Sequence, residues 1–367
     1  MSKSDVGPLD WLGCADDPDP GLTGALGQLA DLDGSADEAG IWPARLWDTL
    51  VQAGATRWSL PEPLGDGCDR PALVRRYAAV AEASLTATFI LTQHDAAVRR
   101  LSAALGQGRA EDWLARIAAG RAFATVGISQ LTTSRRLGPQ ALRASEQGGG
   151  FRLDGVMPWV TAAIRADVIV TGAAMEDGRQ MLIALPMDRP GVTVAEPFAL
   201  AALQASCTSE VRCDGVPIEP ADVLAGPVHD VMAHPQAAGT GGLETSALAL
   251  GQARAALVAL SREAPRREDL LEPFEALADS WRQVASNLWA AAEGRPEALP
   301  PPVIRSQANT LVLRATQAYL TARKGTGFLR REPAQRWARQ ALFFLVWSCP
   351  APVSQATLRD LAGLCPT

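Results

Sequence analysis

The chain has 367 residues, more than one typical domain, so we expect two or three units packed on shared interfaces. Its 40 acidic and 34 basic residues give a net charge of −6 without a long block of one sign, which argues against a nucleic-acid partner. Apolar residues make up 47% of the chain, but no uninterrupted apolar run approaches the roughly 18 residues that span a bilayer, so we expect no membrane association.

The cysteines, the histidines and the first residues of the chain argue against several further classes of protein. The six cysteines form no CxxC pair and have no histidine at zinc-ligand spacing, so no metal site is predicted. Only three histidines are present, which leaves few candidates for Ser/His or Cys/His catalysis. The first residues, MSKSDVGPLDWLG, lack a basic stretch followed by an apolar one, so we expect no secretory signal and a cytoplasmic location.

Residues 21–122 read as a series of helices. In DEAGIWPARLWDTLVQAGA the apolar residues recur at intervals of three and four, and Gly54 is typical of a helix end. A loop rich in Pro and Gly, LPEPLGDGCDRP, separates this helix from the long Ala-rich stretch that follows it. The segment EDWLARIAAG then predicts a further amphipathic helix that ends at Gly120.

The pattern changes to short β-branched runs between Ala122 and about Gly226. Turn dipeptides such as Asp154-Gly155 and Asp214-Gly215 separate these runs, which favours a β-sandwich or barrel. Helical periodicity returns beyond Gly241. We therefore predict an α+β fold with a helical domain over residues 1–122, a β-domain over 123–227 and a helical domain over 228–367.

One β segment, GVMPWVTAAIRADVIVTG, carries an unusual group of side chains at its start. Trp159 and Thr161 are two residues apart, so a strand directs both to the same side, as a planar ligand requires. Pro158 has no amide hydrogen and should lie where the strand ladder needs no bond. The other interpretation is a core tryptophan beside a strand threonine.

This segment and several others resemble the acyl-CoA dehydrogenase superfamily over nearly the whole chain. FRLDGVMPWVTAAIRADVIVTGA is similar to the family's Leu-Asn-Gly-x-Lys-x-Trp-Ile-Thr-Asn-Ala pattern, with Asp154 for Asn and Met157 for Lys. LPEPLGDG resembles the family's Pro-Glu loop after the second helix. The resemblance implies an N-terminal helical domain, a middle β-sandwich or barrel and a C-terminal four-helix bundle.

The resemblance also implies a flavin site. In the family the tryptophan lies against the isoalloxazine ring and the threonine hydroxyl bonds to flavin N5, which assigns Trp159 and Thr161 as cofactor-binding. VGISQLTTSRR is similar to the Leu-Thr-Glu-Pro element that holds the flavin pyrimidine and pyrophosphate, which adds Ile128, Ser129 and Ser134. The implied cofactor is FAD, with FMN as the alternative.

Removal of the substrate α-proton needs a base. The family's C-terminal Glu corresponds here to Ser348, within RQALFFLVWSCPAP, and prolines replace the adenine contacts beyond it. A second branch of the family carries the Glu about ten residues before a Leu-Gly pair. That position is Gly241 here, and Glu244 lies one helical turn further on the same face. The other interpretation of Glu244 is a solvated residue favoured by the helix N-terminus.

Two further elements follow from the resemblance. ARKGTGF is similar to a glycine loop through which a neighbouring subunit touches the dinucleotide, and this loop keeps Gly325 and Gly327. His94 lies on a helix that faces the acyl pocket in the family, where related monooxygenases use a histidine. An ordinary partly buried histidine is the other interpretation.

Three functions are therefore open. The leading one is α,β-dehydrogenation of an acyl-CoA or acyl-carrier-protein thioester, with Glu244 as base and an electron-transfer partner. The second is a reduced-flavin monooxygenase that uses His94 and a flavin reductase. The third is a catalytically degenerate homologue that acts as a binding or assembly partner. The family resemblance and the apolar segment ALFFLVW further predict a homodimer or homotetramer.

Overall fold

The computed structural model describes residues 20–132, 141–234, 242–347 and 351–364. Ser134, Gly241 and Ser348 lie outside these ranges. The described N-terminal region is helical, with the elements α1 (Pro20–Ala39), α2 (Ala44–Gln52), α3 (Arg70–Ala83), α4 (Leu85–Ala103) and α5 (Ala110–Ala118). No helix in the described ranges is long and apolar enough to cross a bilayer.

The boundary between α3 and α4 follows from a single serine. Ser84 has an extended backbone, with φ −154°, so α3 cannot continue through it. Its hydroxyl accepts the Ala87 amide at 3.1 Å and so caps α4, while it donates to Asp33 of α1 at 2.6 Å. This one side chain therefore ends one helix, begins the next and ties both to α1.

The middle region forms one mixed sheet. Its strands are β1 (Ala124–Gly127), β2 (Arg143–Gln147), β3 (Gly150–Val160), β4 (Val168–Ala174), β5 (Gln180–Pro186), β6 (Val192–Val194), β7 (Ser209–Ile218) and β8 (Val223–Val228). The order is β6-β7-β3-β2-β4-β5-β8, and β1 pairs with β4 in parallel. Alternate residues of β4 pack into two different hydrophobic cores. Val168 and Val170 pack with α4 and α5, whereas Ile169 packs with β3 and β7.

The C-terminal region returns to helices, namely α6 (Leu243–Glu263), α7 (Leu271–Ala292), α8 (Pro301–Arg323), α9 (Pro333–Ala341) and α10 (Ala351–Leu361). The predicted order of helices, strands and helices is confirmed. The two helical regions share one hydrophobic core, to which α3 contributes Tyr77 and α6 contributes Leu250. The domain boundaries at residues 122 and 227 stay a prediction, although all described strands lie between Ala124 and Val228.

The close packing of α3 against α6 within this shared core depends on Gly251. A Cβ atom at this position would overlap the carbonyl oxygen of Ala78 and lie 2.9 Å from the Ala81 side chain. Only glycine therefore lets the α6 backbone pack directly against α3. At this point α3, which precedes the β region in the chain, packs directly against α6, which follows it.

Gly251→Ala should lower the free energy of unfolding by about 3 kcal/mol, because a methyl group there forces α3 and α6 apart. Gly27→Ala in α1 is the matched control, since nothing lies within 4 Å of its added Cβ. The control should be neutral or gain up to roughly 1 kcal/mol from helix propensity. Urea denaturation measures both, and equal midpoints for Gly251→Ala and the unaltered chain would contradict this packing.

Candidate functional site

The end of β3 departs from regular pairing at the residues that the sequence singled out. β3 pairs with β7 at Met157–Val211 and again at Val160–Ser209, with a shift in register between the two pairs. Pro158 lies in this interruption, as predicted for a residue without an amide hydrogen. The strand ends at Val160, and Ala162 takes a left-handed conformation with φ 55°.

The interruption opens onto a cavity of about 610 Å³, which is the size of a small-molecule site. Its wall comes from α4, β1 and the turn after it, the end of β3, the loop around Leu203, the start of α6 and the residues that follow α9. Ile128, Ser129, Trp159, Thr161 and Glu244 all line it. Five of the ten site residues suggested by the sequence are thus brought together.

The β-region side of the cavity presents an aromatic ring and two hydroxyl groups. Trp159 is 51% exposed and packs against Phe198, with ring centroids 4.7 Å apart. Thr161 is buried, and its hydroxyl oxygen accepts a bond of 3.4 Å from Thr208. The buried Ser129 hydroxyl has no hydrogen-bond partner among the described residues. Since a buried polar group is normally satisfied, this hydroxyl points to a polar ligand atom.

These features fit a planar cofactor such as a flavin. An exposed tryptophan offers a ring face, and the Ser129 and Thr161 hydroxyls can bond to ring nitrogens and oxygens. These residues account for the ring system of a flavin and not for the rest of the cofactor. Gly325 and Gly327, which the resemblance assigned to the dinucleotide, follow α8 and do not line this cavity within the chain.

The opposite side of the cavity is charged. Arg99 and Arg100 of α4 line it together with Glu244 from the first turn of α6. Arg99 Nη2 lies 3.5 Å from Glu244 Oε1, an ion pair without a hydrogen bond. Behind this pair the buried Tyr77 hydroxyl donates to Asp95 at 2.5 Å. Burial raises the pKa of Asp95 to about 6, although its bond from Tyr77 opposes the shift.

His94 lies outside the cavity wall. Its ring packs between Trp47 and Phe123, with centroids 5.4 and 5.3 Å away, and its Nδ1 lies 3.0 Å from the Ala124 carbonyl oxygen. Burial lowers the pKa of His94 to about 4, so the imidazole is neutral at neutral pH. This placement corresponds to the buried-histidine interpretation, and the structure does not bring His94 to the other candidate residues.

No family model matches the chain. A probable acyl-CoA dehydrogenase of Bacillus subtilis is 25% identical over 244 residues, which cover 61% of this chain and 64% of that protein. The benzylmalonyl-CoA dehydrogenase of Aromatoleum aromaticum is 26% identical over 271 residues, 72% of each chain.

A solved glutaryl-CoA dehydrogenase from Mycobacterium smegmatis, in complex with FADH2, has the same fold. It superposes with a TM-score of 0.80 at 18% identity and covers 97% of both chains. In sequence and in fold the chain is thus similar to members of the acyl-CoA dehydrogenase superfamily. The match with the Bacillus protein spans less than two thirds of that relative, so the activity of this chain is inferred below from its own residues.

The predictions from the sequence did not include two arginines of the cavity wall, nor a buried amide next to Ser129 in the chain. Arg99 and Arg100 were not singled out, although a pair of arginines at the end of the apolar helix ILTQHDAAVRRL is a visible signal. Gln130 is buried and donates to the Gly172 carbonyl oxygen at 2.7 Å and to Thr171 at 3.1 Å. An ionised carboxylate could not donate these bonds.

His94→Gln should change the pH dependence of stability. Between about pH 4 and 6.5 His94 is protonated in the unfolded chain but neutral in the folded chain. Lowering the pH through this range therefore decreases the free energy of unfolding of the unaltered protein. The free energy of unfolding of the variant relative to the unaltered chain should therefore rise by about 2 kcal/mol from about pH 7 to about pH 5.

Urea denaturation at the two pH values measures this difference. His229→Gln is the matched control, because it removes a histidine that is exposed at the surface. A constant difference between His94→Gln and the unaltered chain would show that His94 titrates normally in the folded protein.

Proposed function

We propose that the chain is a flavin-dependent oxidoreductase that removes the α- and β-hydrogens of an acyl thioester, with FAD as its cofactor. One observation carries the proposal. A single cavity brings the aromatic and hydroxyl wall of Trp159, Thr161 and Ser129 together with the carboxylate of Glu244. This is the combination of a redox ring site and a base that the reaction needs.

The residues that would hold the flavin ring are Trp159, Thr161, Ser129 and Ile128. A flavin supplies a hydride acceptor when it is bound. Trp159 offers a face for stacking, and Thr161 is held rigidly because its carbonyl oxygen accepts from Thr125 at 2.9 Å. The superfamily neighbour in complex with FADH2 supports FAD over FMN.

Glu244 is proposed as the base that removes the α-proton. Its side chain lines the cavity at 20% exposure, and it receives no hydrogen bond from other described residues. Both carboxylate oxygens therefore have lone pairs free to accept a proton. Arg99, at 3.5 Å, restrains the carboxylate at the cavity wall.

The substrate is proposed to be an acyl-CoA or acyl-carrier-protein thioester. The cavity extends along α4 from Phe89, which packs against Phe343 and Trp347 at centroid distances of 4.9 Å, to Arg99. Ten helical residues separate Phe89 and Arg99, a rise of about 15 Å. The relatives named for benzylmalonyl-CoA and glutaryl-CoA support a CoA thioester. An electron-transfer partner would reoxidise the cofactor, and a homodimer or homotetramer is proposed as the assembly.

Glu244→Gln should slow anaerobic reduction of bound FAD by a thioester by about 100-fold or more, because the amide cannot take up the α-proton. Glu263→Gln is the matched control. It removes a carboxylate from the same helix, where Glu263 pairs with Arg323 at 2.8 Å outside the cavity. Stopped-flow absorbance gives both rates, and the unreduced spectra report whether FAD binding is retained.

The outcomes separate the three functions. Unchanged reduction by Glu244→Gln would remove Glu244 as the base. Bound FAD that no thioester reduces would exclude the dehydrogenase and leave the monooxygenase, which oxygen-dependent hydroxylation with a flavin reductase would reveal. A chain that takes up no flavin would be the degenerate homologue.

A further inference from the structure

A buried carboxylate lies behind the ion pair of Arg99 and Glu244. Asp95 and Arg99 are four residues apart on α4, so they share one side of this helix. Asp95 is fully buried and is not part of the cavity wall, whereas Arg99 lines the wall beside Glu244. Arg99 is therefore within reach of two carboxylates, one in the interior and one at the cavity.

The electrostatics of Arg99 reflect both carboxylates. Burial lowers the pKa of Arg99, but Tyr77, Glu244 and Asp95 raise it, and the net effect is an increase. Arg99 Nη2 nevertheless lies 3.5 Å from Glu244 Oε1, which is longer than the roughly 2.7–2.9 Å of a charge-assisted hydrogen bond. The charge of one guanidinium group is thus shared between two carboxylates.

The ionisation of Asp95 is set by its surroundings. The Tyr77 hydroxyl, from α3, donates to Asp95 Oδ2 at 2.5 Å, and both side chains are buried. Burial raises the pKa of Asp95 to about 6, although the bond from Tyr77 opposes the shift. Arg99 of α4 and Ser59 of the loop before α3 also lower this pKa, and Glu244 of α6 raises it. Asp95 is therefore ionised at neutral pH and becomes neutral as the pH falls through about 6.

The loss of the Asp95 charge would have a consequence at the cavity. Arg99 would then be attracted to Glu244 alone, and the gap of 3.5 Å between them could close to a charge-assisted hydrogen bond. A carboxylate that accepts such a bond is stabilised in its ionised form and takes up a proton less readily.

We propose that Asp95 is a positioning residue that acts through Arg99. Its carboxylate holds part of the guanidinium charge away from Glu244, so that Glu244 stays free to take up the α-proton of the substrate. The inference rests on the proposed function, because Glu244 is the base of that reaction. Tyr77 supports this role, since its hydroxyl donates to Asp95 and favours the charged form.

Asp95→Asn should slow anaerobic reduction of bound FAD by a saturating thioester by about tenfold at about pH 7.5, because Arg99 then turns to Glu244 alone. The Kd of the thioester should stay within about twofold, because Asp95 does not line the cavity. Stopped-flow absorbance over a range of thioester concentrations gives both values.

Asp33→Asn is the matched control for this variant. It removes a buried carboxylate that pairs with Arg336 at 2.9 Å outside the cavity, so it should leave the rate of reduction unchanged. Equal rates for Asp95→Asn and the unaltered chain, or an equal loss of rate in Asp33→Asn, would overturn the proposal.

Tyr77→Phe distinguishes this role from a merely structural one. Without the hydroxyl the pKa of Asp95 should rise above its value of about 6, so Asp95 is neutral over a wider pH range. Relative to the unaltered chain, Tyr77→Phe should reduce FAD at least about twofold more slowly at about pH 7 and recover at about pH 9, whereas Asp95→Asn stays slow at both. The same deficit of Tyr77→Phe at both pH values would count against the proposal.

The link through Arg99 can be measured without a substrate. Urea denaturation of the full chain at about pH 7.5 gives the coupling between Arg99 and Glu244 from Arg99→Gln, Glu244→Gln and the double variant. This coupling should be at least about threefold stronger, as a ratio of equilibrium constants, when Asp95→Asn is also present. A coupling that does not depend on Asp95 would overturn the proposal.

A second measurement covers the case in which Asp95→Asn does not fold, as judged by its circular dichroism melting curve. The coupling is then measured with Asp95 present at about pH 5.5 and about pH 7.5, and it should be stronger at the lower pH, where Asp95 is largely neutral. Equal coupling at the two pH values would contradict the proposal.

This inference and the proposed function can fail separately. A large effect of Glu244→Gln on FAD reduction, together with a coupling that Asp95 does not change, would retain the dehydrogenase and reject only this inference. A coupling that strengthens with Asp95→Asn, in a chain whose FAD no thioester reduces, would support the link from Asp95 to Glu244 and reject the dehydrogenase.

Discussion

The site depends on one interruption in strand pairing. β3 and β7 pair in one register from Gly155 to Met157 and resume at Val160, and the shift between these two stretches falls on Pro158 and Trp159. A proline removes one ladder donor without leaving an amide hydrogen unsatisfied, so the break has a low energetic cost at this residue. Because the strand is interrupted here, the Trp159 ring remains half-exposed at the cavity wall instead of entering the core.

The second constraint is α4, which forms the core on one side and the cavity wall on the other. Apolar residues such as Leu91 and Val98 are buried, and Phe89, Thr92, Gln93, Ala96, Arg99 and Arg100 line the cavity. The close packing of α3 on α6 brings Glu244 to the same space. The cavity thus has walls from both helical regions and from the sheet, so it forms only when the whole chain is folded.

The sequence predicted the fold, and five of the ten site residues that it suggested line one cavity, for different physical reasons. The change from helical to β periodicity is local, and it correctly gave the order of helices and strands. Trp159 and Thr161 were predicted to share a side, and both line the cavity, since strand alternation and the proline are also local. Glu244 was suggested by its distance along the chain from Leu250-Gly251, and all three residues lie on α6, with Glu244 at the cavity wall.

The rest depends on which elements pack together, which a single sequence does not reveal. His94 lies on α4 as expected, but Trp47 and Phe123 enclose it away from the cavity. Arg99 and Arg100 were not singled out from the sequence, because they become part of a cavity wall only where α6 approaches α4. Gly325 and Gly327 do not line the cavity, and their proposed role in a neighbouring subunit requires an assembly.

The most direct test of the central claim is a titration of FAD into the purified chain, followed by visible absorbance and by tryptophan fluorescence. We expect saturable binding of one flavin per chain, with fluorescence quenching that is largely lost in Trp159→Ala but kept in Trp289→Ala, a tryptophan that does not line the cavity. A spectrum of FAD unchanged by the protein, or quenching that does not depend on Trp159, would contradict the assignment of this cavity as a flavin site.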